Sequence, residues 1–252
     1  MQGQKEIIDV QSLNLERDTF MTVMSQRKSG KSVLLASLIH YYMVSSPEKQ
    51  RCHFAYLFSA TAALNQTTNH SYSFFDKKAI IKPDPSSMNN FISNLIRSQT
   101  QTKMKYHVLL VFDDIVVTHR YEVLEWLASA GRHYSITVIL SSQISNNAVS
   151  PTIRVNVDYI FWRKLGKTAI QNNIFPFMSI SEFEDYKKLN QFTLENTHDF
   201  QFIWYNNCTD TQDEKIKVVK AYPIPEDYRY IVKGPSEQSR KKQRRSNIAI
   251  KW

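Results

Sequence analysis

Hydrophobic residues along the chain fall into short, almost unbroken runs that alternate with stretches in which they recur every three or four positions. The runs at 20–24 and 107–112 are typical of strands buried on both faces of a parallel sheet. The segment 120–130 has the spacing of an amphipathic helix, and Gly131 is suited to end it. Strands and helices that alternate in this way predict a three-layer αβα fold with a mostly parallel central sheet.

The predicted elements form one domain at 1–232, followed by a tail at 233–252. Strands are expected at about 6–9, 19–25, 51–59, 107–113, 135–141 and 158–162. Helices are expected at about 31–44, 87–101 and 120–130, with a helical region at about 167–189. Two segments alternate apolar and polar residues more strictly, as a hairpin at a sheet edge does, and these are 199–205 and 215–221.

A polar loop separates the first long strand from the first long helix. It ends in Gly30-Lys31-Ser32, as the phosphate-loop pattern G-x-x-x-x-G-K-[ST] does, and Ser25 stands where that pattern has its first glycine. In such a loop the backbone N–H groups surround the phosphates, the lysine adds a positive charge, and the serine hydroxyl binds Mg²⁺. A G-K-S triplet before a helix also occurs by chance. The expected nucleotide-binding residues are Ser25, Gln26, Arg27, Lys28, Ser29, Gly30, Lys31, Ser32 and Val33.

A second motif follows the apolar run at 107–112, which ends in Asp113 and Asp114. In a P-loop enzyme the first acid of such a Walker B strand holds Mg²⁺ through water, and the next acid polarises the attacking water. Asp113 and Ser32 are therefore the predicted metal ligands, and Asp114 is the predicted general base. Two acids after a strand are also a common loop start or helix cap. Together with the phosphate loop, however, they predict a P-loop NTPase that uses ATP and Mg²⁺.

The run at 135–141 predicts another buried strand, and it leads to polar Gln143. In one class of P-loop ATPases an extra strand lies between the strands of the two motifs and ends in a residue that senses the γ-phosphate. Gln143 is the candidate sensor, and a solvated strand end is the alternative interpretation.

Composition excludes several other classes of protein. The chain is 42% apolar and 22% charged, which is ordinary for a soluble globular protein. It has no run of 18 apolar residues, so no membrane span is predicted, and its N-terminus lacks the apolar core of a signal peptide. The two cysteines, Cys52 and Cys208, are expected to be buried free thiols in a reducing compartment.

Positive charge is concentrated in the tail. Residues 233–252 contain seven basic residues and one acid, and so carry +6 of the formal net charge of +9. Such an arm can bind a nucleic-acid backbone by charge alone, direct nuclear localisation, or be a solvated terminus without a specific role.

The chain resembles the FtsK–HerA superfamily of P-loop ATPases, and in it the genome-packaging ATPases of poxviruses, other large eukaryotic DNA viruses and virophages. The resemblance covers about 18–205 and rests on Gly30-Lys31-Ser32, Leu109-Leu-Val-Phe-Asp-Asp114, Gly131-Arg-His133, the strand before Gln143 and Ile153-Arg-Val-Asn156. Ser25 departs from the glycine or alanine of the family, and Asp114 stands where many relatives outside the viral branch have glutamate.

The resemblance implies a homo-oligomeric ring that hydrolyses ATP and translocates double-stranded DNA into a preformed capsid. It implies contact with a viral capsid or portal-vertex component, and a place in the virion or at the site of virus assembly in the host cell. In such a ring an arginine finger from a neighbouring subunit neutralises charge in the transition state. Arg132, expected near the top of the sheet, and Arg154, in the loop after the sensor strand, are the two candidates.

Two other functions fit the same motifs. One is a different nucleic-acid-dependent ATPase, such as a helicase or a conjugation-type DNA pump, although no additional helicase domain is recognisable. The other is a non-catalytic DNA-binding scaffold with a residual phosphate loop, against which the intact Lys31, Ser32, Asp113 and Asp114 argue.

Overall fold

One sheet organises the part of the chain that the structure describes. The computed structural model describes residues 5–64, 72–115, 122–142, 150–178 and 182–232. The strands are β1 (Ile7–Asp9), β2 (Phe20–Ser25), β3 (Phe54–Ser59), β4 (Ile80–Ile81), β5 (Val108–Asp113), β6 (Ile136–Ser142), β7 (Tyr159–Arg163), β8 (Gln201–Asn206) and β9 (Ile216–Lys220). Their order across the sheet is β1-β9-β8-β7-β2-β6-β5-β3-β4.

The sheet is mostly parallel. Of the described strands, β8 alone runs antiparallel to both of its neighbours, β7 and β9. Every residue of β2, β5, β6 and β7 is buried, so the centre of the sheet is covered on both faces. The predicted three-layer αβα architecture with a mostly parallel sheet is confirmed.

The helices connect the strands and cover the sheet. They are α1 (Lys31–His40), α2 (Ala60–Leu64), α3 (Pro85–Gln101), α4 (Glu122–Ala130), α5 (Pro151–Asn156), α6 (Lys167–Ala169), α7 (Tyr186–Asn196) and α8 (Gln212–Lys215). A π-helical turn at Tyr41–Ser45 continues α1, so the helix expected at 31–44 is present in two forms. Asp84 caps α3 by accepting a hydrogen bond of 2.9 Å from the Ser87 N–H.

The order of the central strands determines which side chains meet. β6 lies between β2 and β5, as the sequence predicted for the extra strand. Because these three strands are parallel, their carboxyl ends share one edge of the sheet. Ser25, Asp113 and Ser142 are their last residues. This carboxyl edge is where ligands of parallel α/β sheets bind.

The helical region expected at 167–189 is interrupted in the structure. It consists of α6, a π-helical turn at Ile170–Ile174 and a 3₁₀ turn at Phe175–Phe177. Pro176 lacks the backbone N–H that a continuing helix needs. The longer helix, α7, begins only at Tyr186, where the Asp185 carboxylate accepts hydrogen bonds of 2.7 and 2.8 Å from two backbone N–H groups.

The C-terminal hairpin differs from its predicted position in one respect. β8 and β9 are antiparallel as predicted, but β1 pairs with β9 and forms the edge of the sheet.

The prediction of two buried thiols is confirmed for one cysteine and wrong for the other. Cys52 is buried, whereas Cys208 follows β8 in an exposed turn, and both are free. None of the described helices is long and apolar enough to cross a membrane.

Candidate functional site

The phosphate loop connects the end of β2 to the start of α1. Gly30 caps α1 with a left-handed backbone (φ 88°), a conformation that glycine adopts without the steric cost of a Cβ atom. Its carbonyl accepts hydrogen bonds from the N–H groups of Val33 (3.0 Å) and Leu34 (3.1 Å). The first N–H groups of α1 are therefore left for an anion at the positive end of the helix.

Serine in place of the first glycine is accommodated by a hydrogen bond. Ser25 is fully buried, and its hydroxyl lies 2.8 Å from the Ser29 hydroxyl. The Ser29 hydroxyl is the donor in this contact, and it also donates to the Gln26 carbonyl at 2.7 Å. This interaction closes the base of the loop. The next side chains, Gln26, Arg27 and Lys28, are exposed, and Val33 is half exposed.

Lys31 reaches from the phosphate loop to the two acids of β5. Its ammonium group hydrogen-bonds to the Asp114 carboxylate and lies 4.0 Å from Oδ1 of Asp113. Burial lowers the pKa of Lys31 to about 8, against the opposing influence of the Asp113 charge. Asp114 has a left-handed backbone (φ 50°), which turns the chain sharply where β5 ends. The structure thus brings Lys31, Asp113 and Asp114 together.

Asp113 is buried and held by two hydroxyl groups. Oδ1 accepts a hydrogen bond of 3.1 Å from the Ser141 hydroxyl on β6, and Oδ2 accepts one of 2.9 Å from the Tyr72 hydroxyl. The Ser32 side chain also interacts with the Tyr72 hydroxyl, and this interaction acts to lower the pKa of Tyr72. Burial, reinforced by the charge of Asp113, raises the pKa of Tyr72 well above its usual value, so the hydroxyl remains protonated and donates to Asp113.

The residues at this point fit a magnesium ion. One hydroxyl group contacts both Ser32 and Asp113, so the two predicted ligands face the same small volume. Both offer oxygen atoms, and Mg²⁺ prefers a few protein oxygens completed by water and substrate phosphates. Among the described residues there is no cluster of three or more His, Cys, Asp or Glu placed to hold a metal.

Two residues near the loop were missed by sequence reasoning. Tyr72 follows a polar stretch, and only the aromatic residues around it (Tyr72-Ser-Phe-Phe75) indicate that the chain re-enters the core there. Arg163 ends β7, is 3% exposed, and donates a hydrogen bond to the Ser29 carbonyl. No sequence signal links Arg163 to the phosphate loop, because the contact depends on β7 pairing with β2.

Three sequence-predicted candidates remain: Gln143, Arg154 and Arg132. Gln143 falls outside the described residues, and β6 is described only to Ser142. Arg154, on α5, stacks its guanidinium group over the Phe177 ring at 5.9 Å, and its buried Nε has no hydrogen-bond partner among the described residues. The Arg154 guanidinium group therefore contacts an aromatic residue, Phe177, of the same chain.

The predicted position of Arg132 is corrected by the structure. Arg132 belongs to the turn Gly131–Tyr134, which precedes β6, so it lies at the amino end of the parallel strands. Seven residues of strand, about 20 Å, separate this turn from the edge that carries the phosphate loop. There the Arg132 guanidinium lies 3.9 Å from the Asp158 carboxylate.

Comparisons with known proteins agree with this geometry. The family described as Poxvirus A32 protein matches residues 8–217. No curated protein sequence matches the chain.

Solved structures share the fold. B204, the DNA-packaging ATPase from Sulfolobus turreted icosahedral virus, is 16% identical with a TM-score of 0.54, over 84% of this chain and 100% of that chain. The B204 packaging NTPase from Sulfolobus turreted icosahedral virus 2, in complex with AMPPCP, is 17% identical with a TM-score of 0.52, over 82% and 99%. The pCW3 conjugation coupling protein TcpA, in a monomer form with ATPγS, is 12% identical with a TM-score of 0.53, over 87% of this chain and 64% of that chain.

Proposed function

The chain belongs to the poxvirus A32 protein family, a family of genome-packaging ATPases, and we propose that it is an ATP-driven motor that moves double-stranded viral DNA into a preformed capsid. The proposal rests on one observation: Lys31 lies within ion-pair distance of Asp113 and Asp114 at the carboxyl edge of the sheet. It joins a phosphate-binding loop to a pair of carboxylates, which is the arrangement that phosphoryl transfer to water requires.

The phosphates of ATP are bound by the loop between β2 and α1. Backbone N–H groups of the loop and of the first turn of α1 donate to the phosphate oxygens, and the Lys31 ammonium adds a positive charge. Ser32 and Asp113 would hold Mg²⁺, which when bound supplies charge neutralisation on the β- and γ-phosphates. The hydrogen bonds from Ser141 and Tyr72 fix the orientation of the Asp113 carboxylate.

Hydrolysis requires a base near the terminal phosphate, and Asp114 supplies it. In the structure the Lys31 ammonium group hydrogen-bonds to the Asp114 carboxylate. Phosphate oxygens replace Asp114 as the partner of the ammonium group, and the released carboxylate accepts a proton from the attacking water. Lys31 meanwhile remains charge-paired with the phosphates.

The motor is proposed to act as a homo-oligomeric ring, with one subunit completing the site of the next. Arg154 suits the role of the trans arginine better than Arg132, because Arg132 lies at the opposite edge of the sheet. Mixed rings test this choice. Arg154→Ala subunits should lower ATP turnover of wild-type neighbours, and Arg132→Ala subunits should not; equal effects would contradict it.

The proposed DNA contact includes the basic tail at 233–252, which carries +6. Neutralised phosphates make binding weaken with salt, with a slope of about −0.9 per contact on a log–log plot for B-DNA. Deleting 233–252 should lower the affinity for duplex DNA and flatten this slope. An unchanged slope would assign the tail to localisation, or to contact with the capsid or portal vertex.

The decisive experiment is steady-state ATP hydrolysis with and without long duplex DNA. Wild type should turn over ATP faster with duplex DNA, and Lys31→Ala should be inactive in both conditions. Lys49→Ala is the matched control, since Lys49 is an exposed lysine away from the loop. Turnover stimulated by single strands or forks, with strand separation, would favour a helicase. No turnover together with Lys31-independent DNA binding would favour a scaffold.

A further inference from the structure

Phe200 is a large aromatic residue that stands beside the phosphate loop with 57% of its surface exposed. It immediately precedes β8, which is antiparallel and therefore begins at the carboxyl edge of the sheet. A Cβ atom added to Gly30 would lie 2.6 Å from Cδ1 of Phe200. The ring thus lies against the glycine that begins α1, with much of its surface open to solvent.

The backbone conformation just before β8 positions the Phe200 ring next to the phosphate loop. Asp199 and Phe200 both have left-handed conformations, with φ of 42° and 63°. Two consecutive non-glycine residues in this region are strained, and such strain persists where surrounding contacts hold it. The turn reverses the chain just before β8 and directs Phe200 toward Gly30.

Arg163 contacts both the Phe200 ring and the phosphate loop. Its guanidinium carbon lies 4.9 Å from the centre of the Phe200 ring, a cation–π distance. The same guanidinium group donates to the Ser29 carbonyl of the phosphate loop. Arg163 lies over the ring and Gly30 lies beside it, so the exposed surface of the ring forms an apolar platform next to the phosphate site.

The platform lies on the side of the loop opposite to the reacting groups. β7 and β8 are on one side of β2, whereas β6 and β5, with Asp113, are on the other. The side of β2 that carries β7 and β8 is therefore the side away from the proposed reacting groups, where the base of a nucleotide bound at Lys31 and Asp114 could lie. Phe200 presents an exposed aromatic ring on that side, beside Gly30.

We propose that Phe200 is the stacking platform for the purine base of the bound nucleotide, held in place by Arg163. The proposal rests on the proposed function, because it assumes that the loop binds a nucleoside triphosphate. Stacking uses the π-face that every base has, so Phe200 contributes affinity for the base and leaves the choice of base to other groups.

Equilibrium binding by the full chain, with Mg²⁺ present, tests the proposal by comparing a non-hydrolysable ATP analogue with inorganic tripolyphosphate, which has no base. Phe200→Ala and Phe200→Leu should weaken binding of the analogue by roughly 5- to 100-fold, as expected for loss of one base–aromatic stack, and leave tripolyphosphate binding unchanged. Phe200→Trp should bind the analogue like wild type. The fluorescence of the introduced indole should be quenched by the analogue and not by tripolyphosphate.

Two matched variants separate this proposal from the proposed function. Lys31→Ala should lose both ligands, and Leu194→Ala, which truncates an exposed apolar residue on α7, should bind both like wild type. Unchanged binding of the analogue by Phe200→Ala would overturn the stacking proposal alone. Equal loss of both ligands would also overturn it, since the ring would then only brace the loop. A wild-type chain that binds neither ligand would overturn the nucleotide site itself.

Discussion

The ammonium group of Lys31 is hydrogen-bonded to the carboxylate of Asp114, so the proposed phosphate-binding cation and the proposed base contact each other directly. A buried charge that loses its partner is costly. In the proposed mechanism the triphosphate supplies a new partner for Lys31, and the Asp114 carboxylate then acts as the base. Under this proposal, nucleotide binding and activation of the base are coupled through the Lys31 side chain.

This exchange predicts opposite effects of Asp114→Asn on binding and on turnover. Turnover should fall by about 10²–10⁴-fold, because a general base is lost. The ATP analogue should bind at least as tightly as to wild type, since the Asp114 carboxylate then no longer competes for Lys31. Single-turnover hydrolysis and equilibrium binding measure the two effects separately. Asp114→Glu is the control that keeps the carboxylate, and it should retain measurable turnover; wild-type turnover by Asp114→Asn would exclude Asp114 as the base.

Tyr72 leads to a second prediction, which concerns the metal. Its hydroxyl donates to Asp113 and contacts Ser32, so it orients both proposed ligands. Loss of such a supporting hydrogen bond typically weakens metal binding by about 10–100-fold. Tyr72→Phe should therefore raise the Mg²⁺ concentration for half-maximal ATP hydrolysis by roughly this factor.

The control for this variant is Tyr134→Phe, which removes a hydroxyl at the opposite edge of the sheet. Its Mg²⁺ requirement should equal that of wild type. An unchanged requirement in Tyr72→Phe would mean that the hydroxyl does not position the carboxylate.

The third prediction concerns acid stability and the segment after β9. His40, on α1, lies 2.9 Å from the Tyr222 hydroxyl and packs edge-on against the Tyr228 ring. Burial lowers the pKa of His40 from its ordinary value of 6.5. The unfolded chain therefore binds more protons than the folded chain as the pH falls through about 6.5, and the free energy of unfolding decreases there, by up to about 1.4 kcal/mol per pH unit.

Urea unfolding at pH 7.5 and pH 5.5 measures this loss of stability. The loss should be smaller in His40→Gln than in wild type, because the titrating group is gone. His133→Gln, which replaces an exposed histidine, should lose as much as wild type. An equal loss in all three chains would show that His40 does not cause it.

The sequence predicted the centre of this fold because burial leaves a clear pattern there. β2, β5 and β6 are buried on both faces, so each appears as a continuous apolar run, and the phosphate loop and the two acids follow two of these runs directly. The two-residue strand β4 is too short to leave such a pattern.

Contacts that depend on strand order could not be predicted from local sequence. Arg163 reaches the site because β7 pairs with β2, and Tyr72 reaches it through a hydrogen bond to Asp113, which is 41 residues away in sequence. The misplacement of Arg132 has a different cause. A residue just before a parallel strand lies at its amino end, whereas the site lies at the carboxyl ends.

The contact between Gly30 and Phe200 yields the fourth prediction, which measures stability. Gly30→Ala should destabilise the chain by about 1–2 kcal/mol through its left-handed backbone, and further because the new Cβ would lie 2.6 Å from Phe200. Phe200→Ala removes the ring and leaves only the backbone penalty. The double variant should therefore be more stable than the sum of the single effects predicts, with a coupling of about 0.5–3 kcal/mol.

Urea unfolding of wild type, the two single variants and the double variant measures this coupling. Gly166→Ala is the matched control, because Gly166 has φ of −63° and no atom of the described residues lies within 4 Å of an added Cβ. That variant should be neutral or stabilised by about 0.4–1 kcal/mol, through reduced entropy of the unfolded chain. Effects of Gly30→Ala and Phe200→Ala that add to within about 0.5 kcal/mol would mean that the ring does not press on the phosphate loop. A clear coupling would establish the contact on which the base platform depends, independently of any nucleotide.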